Sequence, residues 1–220
     1  MIGTLKSMLH PRETNIEIRG VMTKTQYILW FGGLLLYSTV LFGVYGFLGL
    51  GSENLSVFME TLKEPRWEMT KFLYFVGKLA AGLLYPLLFT LYFTVLFWIV
   101  FEDLSFQRVW KLQLIPLIAM LAAKTIELLC MLLLRVPEHS SPFSLGVIAQ
   151  MLTPKIFWVE LAANITIFIL MAGYLQYRIF HRSLDYSKKR VVITVSLSWI
   201  IYILLDGATD TLFRVMKVII

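Results

Sequence analysis

The feature that most constrains this chain is a long apolar segment, residues 113–134, with two ionisable side chains near its middle. Aliphatic residues fill most of the segment, and a helix of about 20 such residues is long enough to cross a bilayer. Lys124 and Glu127 are its charged residues. Charges at that depth are costly unless they face the protein interior or pair with each other. The segment therefore predicts a membrane helix bundle with a polar interior.

The composition of the whole chain favours the same class of protein. Hydrophobic residues make up 58% of the 220 positions and charged residues only 15%, whereas soluble domains carry about 25% charged residues. The net charge of +6 is better explained by orientation in the membrane and contact with anionic headgroups than by binding of nucleic acid. The single cysteine, Cys130, excludes an intrachain disulfide and any CxxC metal or redox motif.

Five apolar segments predict an all-α bundle of five transmembrane helices with short interfacial helices. They lie near residues 27–50, 72–101, 113–134, 156–179 and 191–213. One membrane domain, 27–213, thus covers most of the chain. Residues 1–26 form an N-terminal segment, predicted to be either a short helix on the membrane surface or a frayed terminus. Residues 214–220 form a short tail.

The segments between the spans are predicted to be short. Residues 51–70 are mixed in character and predict an extramembrane loop with an interfacial helix, and residues 102–111 predict a loop. Residues 144–152 are apolar but too short to cross, so they should lie at the interface or re-enter partway. The second span exceeds the hydrocarbon thickness, which predicts a tilt, a kink at Pro86, or protrusion at its Lys78 end.

The distribution of basic residues predicts an orientation. With a cytoplasmic N-terminus, eleven lysine and arginine residues flank the spans on the inside and seven on the outside. The difference comes mainly from residues 178–190. Because cytoplasmic loops carry the excess of basic residues, the pattern predicts that the N-terminus is inside and the C-terminus outside.

Six polar residues within the spans form a candidate intramembrane polar cluster. Lys124 and Glu127, at i and i+3, share a helix face and can neutralise each other, which leaves open a structural ion pair or a polar site lining a cavity. The other carboxylates are expected in the outer leaflet, either hydrated separately or gathered in one cluster open to the outside. The candidate residues are Lys124, Glu127, Glu160, Asn164, Asp206 and Asp210.

The sequence gives little support for catalysis. It contains no HExxH, GxSxG or GxxxxGK[ST] motif. Its three histidines, His10, His139 and His181, fall in three extramembrane segments, the first and third predicted inside and the second outside, so they cannot share a metal ion. We expect no enzyme activity, no metal site and no cofactor.

Residues 140–205 resemble the Yip1 family of five-span membrane proteins. The similarity consists of the start Phe143-Ser144-Leu145-Gly146, a short interfacial segment, a span with polar residues, and a basic loop before the last span. The N-terminal LHPRETNIEIR also resembles the opening of that family, with a proline and then an Ile-Arg pair ahead of the first span.

The resemblance implies a multi-pass, non-enzymatic protein. Eukaryotic relatives act in vesicle trafficking with Rab GTPases, whereas bacterial relatives often accompany ABC export systems as permease-like accessories. This chain lacks the long polar N-terminal region of the trafficking proteins, which favours a bacterial member in the inner (cell) membrane. We therefore expect an accessory or assembly subunit of a membrane complex, with ABC transporter subunits as candidate partners.

Two other functions remain open from the sequence. One is a self-sufficient transporter of a small solute, an ion or a lipid that uses the intramembrane charges as a polar path. It ranks second because the chain shows no internal repeat of the kind from which many transporters are built. The other is a membrane enzyme acting on lipid, which the missing catalytic motifs disfavour.

Overall fold

The structure is a computed structural model that describes residues 24–50, 64–134, 141–153, 155–183 and 186–219. Within these ranges the chain is all-α, and its eight helices are numbered here in order. They are α1 (Lys24–Phe47), α2 (Glu64–Val100), α3 (Phe106–Leu112), α4 (Leu114–Leu134), α5 (Gly146–Leu152), α6 (Ile156–Ala163), α7 (Ile167–Ser183) and α8 (Lys188–Ile219). The predictions for residues 1–23 and 51–63 lie outside the described residues.

Four stretches of the described chain are helices long and apolar enough to cross a membrane. They are Thr25–Phe47, Glu68–Val100, Phe106–Leu134 and Lys188–Thr209. Large apolar side chains on these helices point outward, with Leu29 70%, Phe47 82% and Leu133 80% exposed. Apolar surface of this extent is rare on soluble monomers and is what lipid would cover. The chain is thus a membrane-embedded, multi-pass helical protein.

Several predicted boundaries differ from the observed ones. Helix α2 begins at Glu64, earlier than predicted, and continues through Pro86 to Val100. Residues 102–111, predicted as a loop, include most of α3. Helix α8 extends to Ile219 and so includes most of the predicted tail at 214–220. These helical segments extend beyond the apolar residues that predicted the spans, because hydrogen bonding along the backbone does not depend on side-chain hydropathy.

The predicted span at 156–179 is interrupted. Helix α6 ends at Ala163 and α7 begins at Ile167. Between them, Thr166 forms an isolated antiparallel bridge with Ser144. The Leu145 amide donates to the Ile165 carbonyl, 3.1 Å away. Because α5 starts at this bridge and α6 returns to it, the two short helices form a hairpin that is closed at its base.

Helices α1 and α2 form the most extensive helix pair and approach closely through glycines. A Cβ atom on Gly82 would lie only 2.8 Å from the Ser38 carbonyl oxygen and 2.9 Å from Thr39 Cα. Those are backbone atoms, so a side chain could fit only if the helices moved apart. Helix α1 ends at Phe47, and in the turn that follows Gly49 has a φ of 67°, the left-handed conformation that commonly follows helix ends.

An aromatic core fills one half of the bundle. Phe89, Phe93 and Phe97 on α2, and Phe101 directly after its end, recur every four residues and are at most 3% exposed. They pack against α7 and α8, with ring centroids 4.4 Å apart for Phe97 and Phe180 and 4.7 Å apart for Phe93 and Trp199. This half adjoins the end of the bundle where α2 stops at Val100 and α8 starts, which we call the Arg190 end.

Candidate functional site

A polar cavity of about 140 Å³ lies in the other half of the bundle. It is enclosed by α4, the segment before α5, the break between α6 and α7, and α8. Apolar side chains, including Met120 and Ile169, form part of its wall. Its polar lining consists of Lys124, Glu127, Ser141, Asn164, Thr166, Tyr202 and Asp206.

Lys124 and Glu127 form the predicted ion pair. Lys124 Nζ lies 3.0 Å from Glu127 Oε2, and the two side chains are 29% and 13% exposed. Behind the pair, the Tyr45 hydroxyl donates to the Lys124 carbonyl oxygen at 2.9 Å. Tyr45 belongs to the last turn of α1, so the pair lies towards the end of the bundle opposite Arg190.

The helix break brings its own polar groups to this pair. Asn164 directly follows the end of α6, and its backbone amide donates to the Glu160 carbonyl oxygen at 3.1 Å. Two residues later, Thr166 Oγ1 accepts a hydrogen bond from the Ile169 amide at 3.3 Å, which caps the start of α7. Both side chains line the cavity, because the break leaves them beside α4.

Asp206 completes the charged lining from α8. Its neighbour Gly207 is buried, and a Cβ there would lie 3.3 Å from Leu161 Cα in α6. This close approach holds α8 against α6 and so fixes Asp206 at the level of the helix break. With one ammonium and two carboxylates, the cavity carries a formal charge of −1 when all three groups are ionised.

Four of the six predicted residues therefore share one cavity: Lys124, Glu127, Asn164 and Asp206. Glu160 is 1% exposed and is not part of the cavity lining. It is buried because α6 packs along α8. Asp210 belongs to α8, but its side chain lies outside the described residues.

A buried hydrogen-bond chain crosses the aromatic half of the bundle and was not predicted. Trp199 Nε1 donates to Gln176 Oε1 at 2.7 Å, and Gln176 Nε2 donates to Gln113 Oε1 at 2.7 Å. Both glutamines are fully buried. A glutamine within an apolar helix was the available signal, since a polar side chain there must find a partner inside the bundle.

An apolar layer separates the polar cavity from the Arg190 end. One turn beyond the cavity along each helix lie Leu117 on α4, Ala172 on α7 and Trp199 on α8. These residues are at most 5% exposed, and the phenylalanines of α2 pack beyond them. Beyond this layer, the buried amides of Gln176 and Gln113 are hydrogen-bonded to each other and to Trp199 Nε1.

The size and ligand set of the cavity limit its chemistry. At about 30 Å³ per water molecule, 140 Å³ admits a few waters or a small ion, whereas sites for organic ligands usually span about 300–1,000 Å³. The described residues contain no group of three or more His, Cys, Asp or Glu side chains able to hold a metal ion. His181 stacks on Tyr177 at 5.6 Å, while His10 and His139 lie outside the described residues.

Comparisons of the chain with protein-family models, curated proteins and solved structures find no match. A function is therefore inferred from the geometry of the bundle, which has a small polar cavity, an apolar layer on one side of it, and exposed outer helix surfaces.

Proposed function

We propose that this protein is a non-enzymatic accessory or assembly subunit of a larger membrane complex. The bundle would be of the Yip1 type, with five crossings in which α6 and α7 together make the fourth. The excess of basic residues supports a cytoplasmic N-terminus and an outside C-terminus. The Yip1 resemblance supports a bacterial inner-membrane location and a partner such as an ABC exporter.

The observation that carries this proposal is an uncovered face of small residues on α2. Gly77, Ala80 and Ala81 are exposed, and a Cβ atom on Gly77 would meet no atom within 4 Å. In contrast, the space beside Gly82 is occupied by atoms of α1. Small residues on a membrane helix allow a second helix to approach closely, which is how many membrane helices associate. The face around Gly77 therefore fits a helix of a partner protein.

Gly77→Leu is expected to abolish co-purification of the membrane partner and to leave the protein folded. The added side chain has open space within the protein, but it would hold a partner helix away. The measurement is quantitative mass spectrometry of proteins that co-purify after mild solubilisation, together with the Tm of the purified chain. Leu73→Ile, at another exposed position of α2, is the matched control and should retain the partner. An unchanged set of co-purified proteins in Gly77→Leu would contradict the proposal.

A self-sufficient transporter is the second candidate, and the polar cavity at a broken helix favours it. Many transporters place substrate or ion sites at discontinuous helices near the middle of the membrane. Two observations place it second: the cavity is small, and an apolar layer closes it towards the Arg190 end. Flux of ions or small solutes into liposomes that contain this chain alone would favour the transporter over the accessory subunit.

A further inference from the structure

A second concave surface lies on the outside of the bundle, between α2 and α8 at the Arg190 end. We call it the groove, and its volume is about 480 Å³. Its walls are apolar along most of its length, and its mouth is basic. The apolar wall consists of Leu96, Val100, Ile193, Leu197 and Ile201.

The mouth of the groove carries two cations and a hydroxyl group. Lys189, Arg190 and Ser187 line it, and all three are exposed. They belong to the first turn of α8 or directly precede it, where the helix dipole adds positive potential, and this turn contains no acidic residue. Cations gathered at this end of a helix repel one another and the dipole, which an anion would relieve.

Arg190 is held in place across the mouth. One guanidinium nitrogen donates to the Val100 carbonyl oxygen at 2.7 Å, and the guanidinium group lies over the rings of Tyr186 at 5.1 Å and Phe101 at 5.8 Å. Tyr186 in turn donates to Asp103 Oδ2 at 2.6 Å, a hydrogen bond that raises the pKa of the phenol. The guanidinium group of Arg190 is thus fixed in position across the mouth.

The groove has the length of one lipid chain. From Arg190 to Ile201 the helix rises about 16 Å at about 1.5 Å per residue. One leaflet of the hydrocarbon core is about 15 Å thick, half of about 30 Å. Ile193 and Leu197 are more than half exposed, so the groove is open to the surrounding lipid along this distance. A charged head at Arg190 and an acyl chain ending near Ile201 would match both its charge and its depth.

From this charge complementarity and length we propose that the groove binds an anionic phospholipid. The phosphate lies at Lys189, Arg190 and Ser187, and one acyl chain lies along Leu96, Val100, Ile193, Leu197 and Ile201. Basic pockets between transmembrane helices are a recurring way of binding anionic headgroups. The site is independent of the polar cavity and of the proposed accessory function.

The test is thermal unfolding of the full chain in detergent, titrated with phosphatidylglycerol, with phosphatidylcholine or with soluble glycerol phosphate. Phosphatidylglycerol at saturation should raise the Tm on the order of 5 °C, and the other two should have little effect. An equal rise with phosphatidylcholine would overturn the charge requirement. An equal rise with glycerol phosphate would show a site for free phosphate and overturn the lipid assignment.

Variants locate the effect in the groove. Lys189→Gln should weaken the apparent affinity for phosphatidylglycerol about five-fold. Lys188→Gln, which removes the same charge one residue outside the lining, should weaken it clearly less. Leu197→Trp fills the acyl-chain path and should abolish the phosphatidylglycerol effect without lowering the Tm of the lipid-free protein. Equal losses in Lys188→Gln and Lys189→Gln, or an unchanged response in Leu197→Trp, would overturn the proposal. If the purified protein is a dimer and Leu197→Trp dissociates it, the proposal is also overturned, because a second copy would then occupy the groove.

Discussion

Lys124→Ala is expected to lower the free energy of unfolding by about 3 kcal/mol. The substitution leaves Glu127, which is 13% exposed, without its ammonium partner in a low-dielectric interior. It also leaves the carboxylates of Glu127 and Asp206 in one cavity of about 140 Å³, where their like charges repel each other. Equilibrium unfolding of the purified chain in mixed micelles measures the loss.

The double variant Lys124→Ala/Glu127→Ala distinguishes a structural pair from two independent residues. If the pair is structural, the double variant should recover most of the stability that Lys124→Ala loses, because the stranded carboxylate is removed. Additive losses in the two single variants would contradict this explanation and would place each charge in contacts of its own.

Gln176→Leu is expected to lower the free energy of unfolding by about 2 kcal/mol. The volume of the side chain is nearly conserved, but Trp199 Nε1 loses its acceptor and Gln113 Oε1 loses its donor. Both groups are at most 5% exposed, so water cannot replace Gln176. Thermal unfolding of the purified chain should report the change.

Replacing the whole hydrogen-bond chain is the control for that prediction. In the triple variant Gln113→Leu/Gln176→Leu/Trp199→Phe no polar group of the chain is stranded, and replacement of all partners by apolar groups can be nearly neutral. The triple variant should therefore be more stable than Gln176→Leu alone. If it is less stable, the cost comes from altered packing and not from unsatisfied polar atoms.

The positions of the long helices and of the central ion pair could be predicted from the sequence. Apolar runs long enough to cross a bilayer identify most of α1, α2, α4 and α8, since hydropathy alone decides whether such a helix is stable in lipid. The spacing of Lys124 and Glu127 determines their pairing, because residues at i and i+3 face each other on any helix. No tertiary information was needed for either result.

The break at residues 164–166 could not be predicted from local sequence. Neither Pro nor Gly occurs between Asn164 and Ile167, and isoleucine and threonine are common in membrane helices. The segment is extended because its backbone groups pair with residues 143–145, which come from about 20 residues earlier in the chain. The same tertiary arrangement decides which predicted residues meet: Asn164 reaches the cavity at the break, while Glu160 one turn earlier is buried beside it.

The two halves of the bundle differ in polarity. Polar residues of α4, of the helix break and of α8 line one cavity, and an apolar layer with Leu117, Ala172 and Trp199 closes that cavity towards the Arg190 end. A polar cavity that is closed on one side is what we expect of an accessory subunit. A transporter would require a second conformation in which this layer opens.

Two-sided thiol labelling in sealed vesicles tests this claim most directly. The background is Cys130→Ser, which removes the native cysteine, and the probes are Asn164→Cys in the cavity and Lys189→Cys at the Arg190 end. A membrane-impermeant maleimide should label Asn164→Cys from one side only, the side opposite to that which labels Lys189→Cys. Thr94→Cys, at a fully buried position in the aromatic half, should be protected from both sides. Labelling of Asn164→Cys from both sides, or from the Lys189 side, would contradict the claim.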